Sequence, residues 1–360
     1  MRQNLSKLVP ILPVLLVLGL LIFPQDISEA AASAALLWWS SVLPALLPYL
    51  IAASLLSRSE ALLRVPNRLL PAALFLSGAL LGYPVGAKLA GSLFAQGALC
   101  KDNAERVAVR CNLPNPVFLL SVVALHVFGD LRCAIPLLIG VYAVALLFAL
   151  PLYRISAQRT RSARVLLPND LPEAIGDGVR TIAVIGGCIV FASVLGALLN
   201  AIALPDALHR LFGVSQAVVN AAALGLFEMT CGVRAAASLP FSLPVRLALA
   251  AGFVQFGGLS VMLQTASQFP VRMLRYAAHK LPAAVLSGFL TFLLTPLFLP
   301  DTLAPTFAST AQMQQNAYSL LSIIVSAVIG LLTVFVFTAR FSPEKKKHAR
   351  VPKNTGTVED

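Results

Sequence analysis

Apolar residues run along this chain in long blocks, at about 8–23, 34–56, 69–98, 104–128, 134–153, 180–203, 214–239, 243–269, 280–300 and 317–339. Most approach the roughly 20 residues that a helix needs to cross a ~30 Å hydrocarbon core. The pattern predicts an all-α polytopic membrane protein. Polar stretches interrupt it at 154–178, with Arg154, Arg159, Arg161 and Arg164, and in the tail from Arg340 through KKKHAR to Asp360. Two blocks do not read as simple spans. Residues 69–98 and 214–239 each carry glycine-containing sequence and a cation midway.

The first of these explains itself by length. Leu69–Leu81 makes a helix of about 20 Å, enough for half a bilayer. Gly82-Tyr83-Pro84-Val85-Gly86 then turns the chain, because glycine permits positive φ and proline lacks the N–H that a continuing helix needs. Lys88 falls in the first turn of the helix that follows. The second hairpin, about 215–239, carries Glu228, Thr230, Gly232 and Arg234 at its tip. A charge at membrane depth faces a wet cavity or a partner. Irregular backbone survives there only inside protein or beside water. Two further breaks fall at Asn112-Leu113-Pro114-Asn115-Pro116 and Gly257-Gly258-Leu259-Ser260, with Gln264 one turn beyond Ser260. The substrate-binding set expected from these four interruptions is Tyr83, Gly86, Lys88, Asn112, Asn115, Glu228, Thr230, Gly232, Arg234, Gly257, Gly258, Ser260 and Gln264.

The chain also aligns with itself. A shift of 146 residues places 38–153 on 184–299 without a gap, so that GYPVGAKLAGSL falls on EMTCGVRAAASL and Lys88 on Arg234. With both hairpins re-entrant, the large basic clusters fall on one face, including Arg58, Arg64, Arg68, Lys101, the 154–164 arginines, Arg272, Arg275 and Lys280. That is the face that the positive-inside rule makes cytoplasmic. The two repeats then enter the membrane from opposite sides, an inverted plan shared by many secondary transporters. The expected organisation is an N-terminal span over 1–33, a first repeat over 34–153 and a basic cytoplasmic linker over 154–179. A second, inverted repeat over 180–300, a final span over 301–340 and a basic tail over 341–360 complete it. Both termini are expected in the cytoplasm. Arg2 and Lys7 before the apolar run 8–23, with EAAASAA after it, also fit a cleaved signal peptide, but the many spans that follow favour a retained first span.

Composition narrows the classes. Of 360 residues, 58% are hydrophobic and 12% charged, with mean hydropathy +0.84, where soluble domains carry about 25% charged residues. The net charge of +12 reads as cytoplasmic-side bias rather than a nucleic-acid surface. Five scattered cysteines without a CxxC pair give neither a disulfide framework nor a zinc site. No HExxH, GxSxG or Walker A motif occurs, so neither an enzyme nor a cofactor is expected. Glu228 pairs with a cation or carries a coupling charge. Asp102, Glu105, Arg106 and Arg110 read as a solvated helix face, and Trp38 with Trp39 as an interfacial belt.

GYPVGAKLAGSLFAQGALCKDNAERVAVRCNLPNPVFLLSVV resembles the sporulation integral membrane protein family of the YlbJ type, and FEMTCGVRAAASL and FGGLSVMLQ are similar to its second-half motifs. The chain departs from that pattern at Leu113-Pro114-Asn115-Pro116, where Pro-Gly-Pro is expected, and at Thr230-Cys231-Gly232, where an Asn is expected near the Gly. The resemblance implies membership of the nucleoside-recognition (Gate) group and the plan of concentrative nucleoside transporters. It also implies a role in endospore formation, in the cell membrane or the forespore outer membrane, moving dipicolinate. The expected function is a secondary-type transporter of a small organic anion, with Lys88 and Arg234 offsetting its charge. A nucleoside-type transporter and a non-transport scaffold stand as alternatives. The expected partners are an anionic small molecule and the lipid bilayer, without nucleic acid; homo-oligomerisation stays open.

Overall fold

The structure, a computed structural model, describes residues 11–59, 61–155, 157 and 170–300. The last expected span and the basic tail lie outside the described residues, as does half of the linker. Every regular element described is helical. Five helical stretches are long and apolar enough to cross a membrane: Pro24–Arg58, Leu131–Arg154, Asp170–Ala201, Leu243–Gln268 and Met273–Phe298. Leu146, Leu147, Phe289, Leu293 and Leu297 point outward, as lipid-facing side chains do.

Both irregular blocks are helical pairs. The first runs Leu70–Leu81 and Val85–Ala95, the second Gln216–Phe227 and Met229–Ala237. Lys101–Arg110 stops before the Asn112–Pro116 segment, and helix resumes to Val127. Leu243–Phe256 and Gly258–Gln268 are separated at Gly257. Each half therefore has a helical pair followed by an interrupted helix, in the same chain order.

Small residues set the packing of the spans. A Cβ at Gly140 would lie 2.0 Å from Thr291 Oγ1, and one at Gly288 would lie 2.8 Å from the Ala248 carbonyl oxygen. Met273–Phe298 can therefore press close to both Ala134–Ala149 and Leu243–Phe256, the way helices associate in lipid.

Four expectations need correction. Helix begins at Asp170, not near 180, because Arg58 gathers its first turns: Asp177 at 2.7 Å, Asp170 at 3.8 Å, and Glu173. The linker therefore ends by residue 169, and the helix that follows starts acidic. Glu105 is not on a solvated face. It is buried and accepts from the Arg272 backbone N–H at 3.0 Å and from the Arg275 guanidinium at 2.7 Å, fastening the start of one helix to the chain before another. Trp38 leaves the expected belt because Gly186 makes room for its ring, and its Nε1 donates to the Ile182 carbonyl at 3.0 Å; Trp39 alone is exposed. Lys280, placed with the loop cations above, is fully buried in Met273–Phe298. A short helix at Leu204–Phe212, with Pro205 in its first turn and Gly213 after its end, was not expected.

Candidate functional site

At the first hairpin tip, Gly82 has φ +83°, and a Cβ there would lie 2.8 Å from Asn115 Cβ, so the turn requires glycine twice over. Gly78 and Gly86, one from each arm, close on the backbone of the first helix break. A Cβ at these positions would fall 1.8 and 2.2 Å from the Cys111 carbonyl oxygen. Gly86 thus serves close packing rather than presenting a ligand. Tyr83 is buried and its hydroxyl donates to the Val254 carbonyl, tying this tip to the helix that ends at the second break.

The first break is wired by asparagines. Asn115 Nδ2 donates to the Leu80 carbonyl at 2.8 Å and its Oδ1 accepts from the Val117 N–H at 2.7 Å. One side chain thereby satisfies the end of a hairpin arm and the start of the resumed helix. Asn112, fully buried, donates through Nδ2 to Thr265 Oγ1 at 2.8 Å, which links the first break to the helix after the second.

The second hairpin packs on itself. A Cβ at Gly232 would sit 2.2 Å from Gly225 Cα, so its arms touch through glycine. Glu228 is buried, and its carboxylate accepts from the Cys231 N–H at 2.8 Å, capping Met229–Ala237. This settles what Glu228 bonds within the fold: a helix N-terminus, not Arg234, which is exposed. Gly257 and Gly258 take φ +82° and +70°, and Gly258 abuts the Phe227 and Gly225 carbonyls. Ser260 Oγ accepts from Gln264 Nε2 at 3.0 Å, one turn apart as expected.

These elements converge on a cavity of about 40 Å³, the room of about three water molecules. Tyr83, Asn115, Glu228, Thr230 and Gln264, with Ser41, supply its polar lining, and apolar side chains including Ile185 and Ile189 the rest. Of the expected set, Asn112, Ser260 and the glycines support this wall from behind. The two cations do not join it. Lys88 is half-buried on the flank of Val85–Ala95, where Asp177 and Arg58 are its electrostatic neighbours. Arg234 faces outward because the other side of Met229–Ala237 is taken by the glycine contact. A matching position in sequence did not give a matching direction in space.

The residue that was missed is Lys280. Its Nζ lies 2.5 Å from the Asn112 carbonyl oxygen. The available signal was a lysine two residues before Pro282 inside an apolar run, HKLPAAVL, which reads equally as a loop edge.

No family model matches the chain, and no solved structure matches it. Among curated proteins, the sporulation integral membrane protein YlbJ of Bacillus subtilis (strain 168) is 26% identical over 325 aligned positions, covering 76% of this chain and 79% of that protein. The similarity runs through the bulk of both chains and agrees with the hairpin and break motifs; with five helices long and apolar enough to cross a membrane, this is an integral membrane protein similar to the YlbJ-type sporulation proteins.

Proposed function

We propose that the protein is a secondary-type transporter of a small organic acid in sporulation, working by alternating access with two oppositely inserted halves and without catalysis. The observation that carries this reading is convergence: both hairpin tips, the first helix break and the helix that follows the second bring polar side chains to one cavity with otherwise apolar walls. A scaffold has no need of four interruptions gathered around one cavity. The cavity's size suits a closed form, so a solute of nucleoside or dipicolinate size enters only when a hairpin moves.

Charge refines the substrate class. The expected anion partners Lys88 and Arg234 lie off the cavity wall, and Glu228 contributes a carboxyl group to it. Two half-helix N-termini near the cavity, at Val85 and Gly258, have no side-chain cap, and their dipoles favour a carboxylate. A carboxylate therefore fits best when one of its charges is neutralised by a co-carried cation, and dipicolinate is the first solute to test. The amides of Asn115 and Gln264 with the Thr230 hydroxyl favour a second reading, a neutral nucleoside-type solute. Uptake of both solutes into proteoliposomes, side by side, separates the readings. Saturable dipicolinate uptake that Thr230→Val and Gln264→Ala depress, and that Lys88→Gln with Arg234→Gln leaves within about twofold, supports the first. Uptake of neither solute overturns transport.

A further inference from the structure

We propose that the Lys280 amine is the proton-binding site of the transport cycle: as an ammonium it holds the first helix break closed, and loss of its proton to water releases the break. This rests on the transporter reading above and names the cation that is co-carried.

In a continuous helix the Asn112 carbonyl would accept from the N–H four residues on, but that residue is Pro116, which has none. The orphaned oxygen sits at the C-terminal, negative end of a half-helix, where transporters place their coupling cations. Here Lys280 Nζ occupies that place at 2.5 Å, with the side chain 1% exposed. Its ammonium meets a carbonyl rather than a carboxylate, and among the described residues the Asn112 carbonyl, the Cys111 thiol and the Tyr276 ring, centroid 5.9 Å away, are what lies beside its charge.

The surrounding groups leave Lys280 as the centre of the cluster. On its own helix lie Tyr276, whose hydroxyl is near Thr265 and Asn112, and His279, whose ring packs on Phe148 at 5.4 Å. From the first broken helix come the Cys111 thiol and Arg110, whose Nε donates to the Phe148 carbonyl at 3.2 Å. Leu131–Arg154 supplies Tyr142, which donates to the Pro114 carbonyl at 2.7 Å. Leu243–Gln268 supplies Thr265 and the buried Gln255, from the broken helix that Asn112 joins. Asn112 Oδ1 and the Tyr276 hydroxyl, both beside the amine, lack a hydrogen-bond partner among the described residues, so the cluster keeps an unused acceptor and an unused donor. The cluster lies behind the cavity wall, since Asn112 and Thr265 adjoin the lining residues Asn115 and Gln264. Each cycle moves one proton. The ammonium gives it to water entering from one side, the neutral amine drops its charged hold on the Asn112 carbonyl, and water from the other side restores it.

The test reads the cavity without any solute. Full-length protein with Cys100, Cys188 and Cys231 changed to Ser and Ser41→Cys on the cavity wall is placed in nanodiscs. It is then treated with a small methanethiosulfonate from about pH 6 to about pH 10. Each rate is divided by that of Cys100, which is exposed, measured in a parallel protein that keeps Cys100 and lacks Ser41→Cys, to cancel thiol ionisation. The proposal expects the ratio to rise about threefold or more along a one-proton curve. Lys280→Arg should hold it low and Lys280→Met should hold it high at every pH. A flat ratio in the protein with Lys280 intact overturns the proposal without any variant, and so does an unchanged curve in Lys280→Arg. A protein that shows the curve but carries neither dipicolinate nor nucleosides overturns the transporter reading alone. One that carries solute with a flat ratio overturns the proton site alone.

Discussion

The two halves of the molecule have the same order of elements but stabilise their irregular backbone by opposite means. The first half borrows. Its hairpin closes on the Cys111 backbone through Gly78 and Gly86, its break is bonded by Asn115 to Leu80, and its orphaned Asn112 carbonyl takes a cation from Met273–Phe298. The second half bonds its irregular backbone more locally, although Gly258 still abuts its hairpin's carbonyls and Val254 and Thr265 still bond the first half. Glu228 caps its own helix, Gly225 meets Gly232 within the hairpin, and Ser260 bonds Gln264 within one turn. A tip that borrows is coupled to distant elements, whereas a self-capped tip can move as a unit.

The sharpest way to break this contrast is to add one methyl group. Gly86→Ala would press Cβ to 2.2 Å from the Cys111 carbonyl oxygen, a backbone atom that cannot step aside. We expect loss of the monodisperse folded protein on size exclusion. Gly97 also has positive φ, but a Cβ there meets nothing within 4 Å, so Gly97→Ala should cost about 1 kcal/mol. Equal behaviour of the two variants would mean that the hairpin does not ride on the break.

Next comes Asn115→Ala, which leaves the Leu80 carbonyl and the Val117 N–H unsatisfied inside the bundle. At about 1–3 kcal/mol for each orphaned group, the thermal midpoint should fall clearly. Gln264→Ala loses only its bond to Ser260, so it should change stability little while depressing uptake. Glu228 gives a smaller effect with a finer reading. Removing the cap by Glu228→Ala should cost about 1 kcal/mol, and Glu228→Gln, which keeps an acceptor, should recover most of it. Normal stability with lost uptake in Glu228→Gln would assign the negative charge itself to transport.

The same contrast decides how much was legible in the sequence. Breaks and hairpins were, because Gly82, Pro114, Pro116, Gly257 and Gly258 act through local backbone chemistry that needs no partner. The polar wall was legible for the same reason, since Tyr83, Asn115, Glu228, Thr230 and Gln264 sit at or within a turn or two of the breaks. Side-chain direction was not. Lys88 and Arg234 occupy matching positions, yet each faces whatever its own helix leaves open. Lys280 was hidden more deeply: its partner is a backbone carbonyl 168 residues away, and a carbonyl leaves no signature in sequence.

The smallest expected effect concerns the clasp between the two borrowed elements. Burial works against ionising Glu105, but the Arg272 guanidinium and N–H, with Arg275 beside them, outweigh it and hold the carboxyl below its ordinary range. Asp102 is lowered in the same way, with burial opposed by Arg275 and Arg106. Carboxyls with depressed folded values contribute stability that is complete above the ordinary carboxylate range, above about pH 5, and lost as pH falls through the lowered values. With Arg272 64% and Arg275 42% exposed, solvent screening limits the clasp to about 1 kcal/mol. The thermal midpoint should therefore hold from about pH 7 to about pH 5 and drop below that. Glu105→Gln should lower the midpoint at neutral pH and flatten the acid drop. An acid drop of full size in Glu105→Gln would move the clasp's contribution to Arg58 with Asp177, another place among the described residues where two helices are joined by charge.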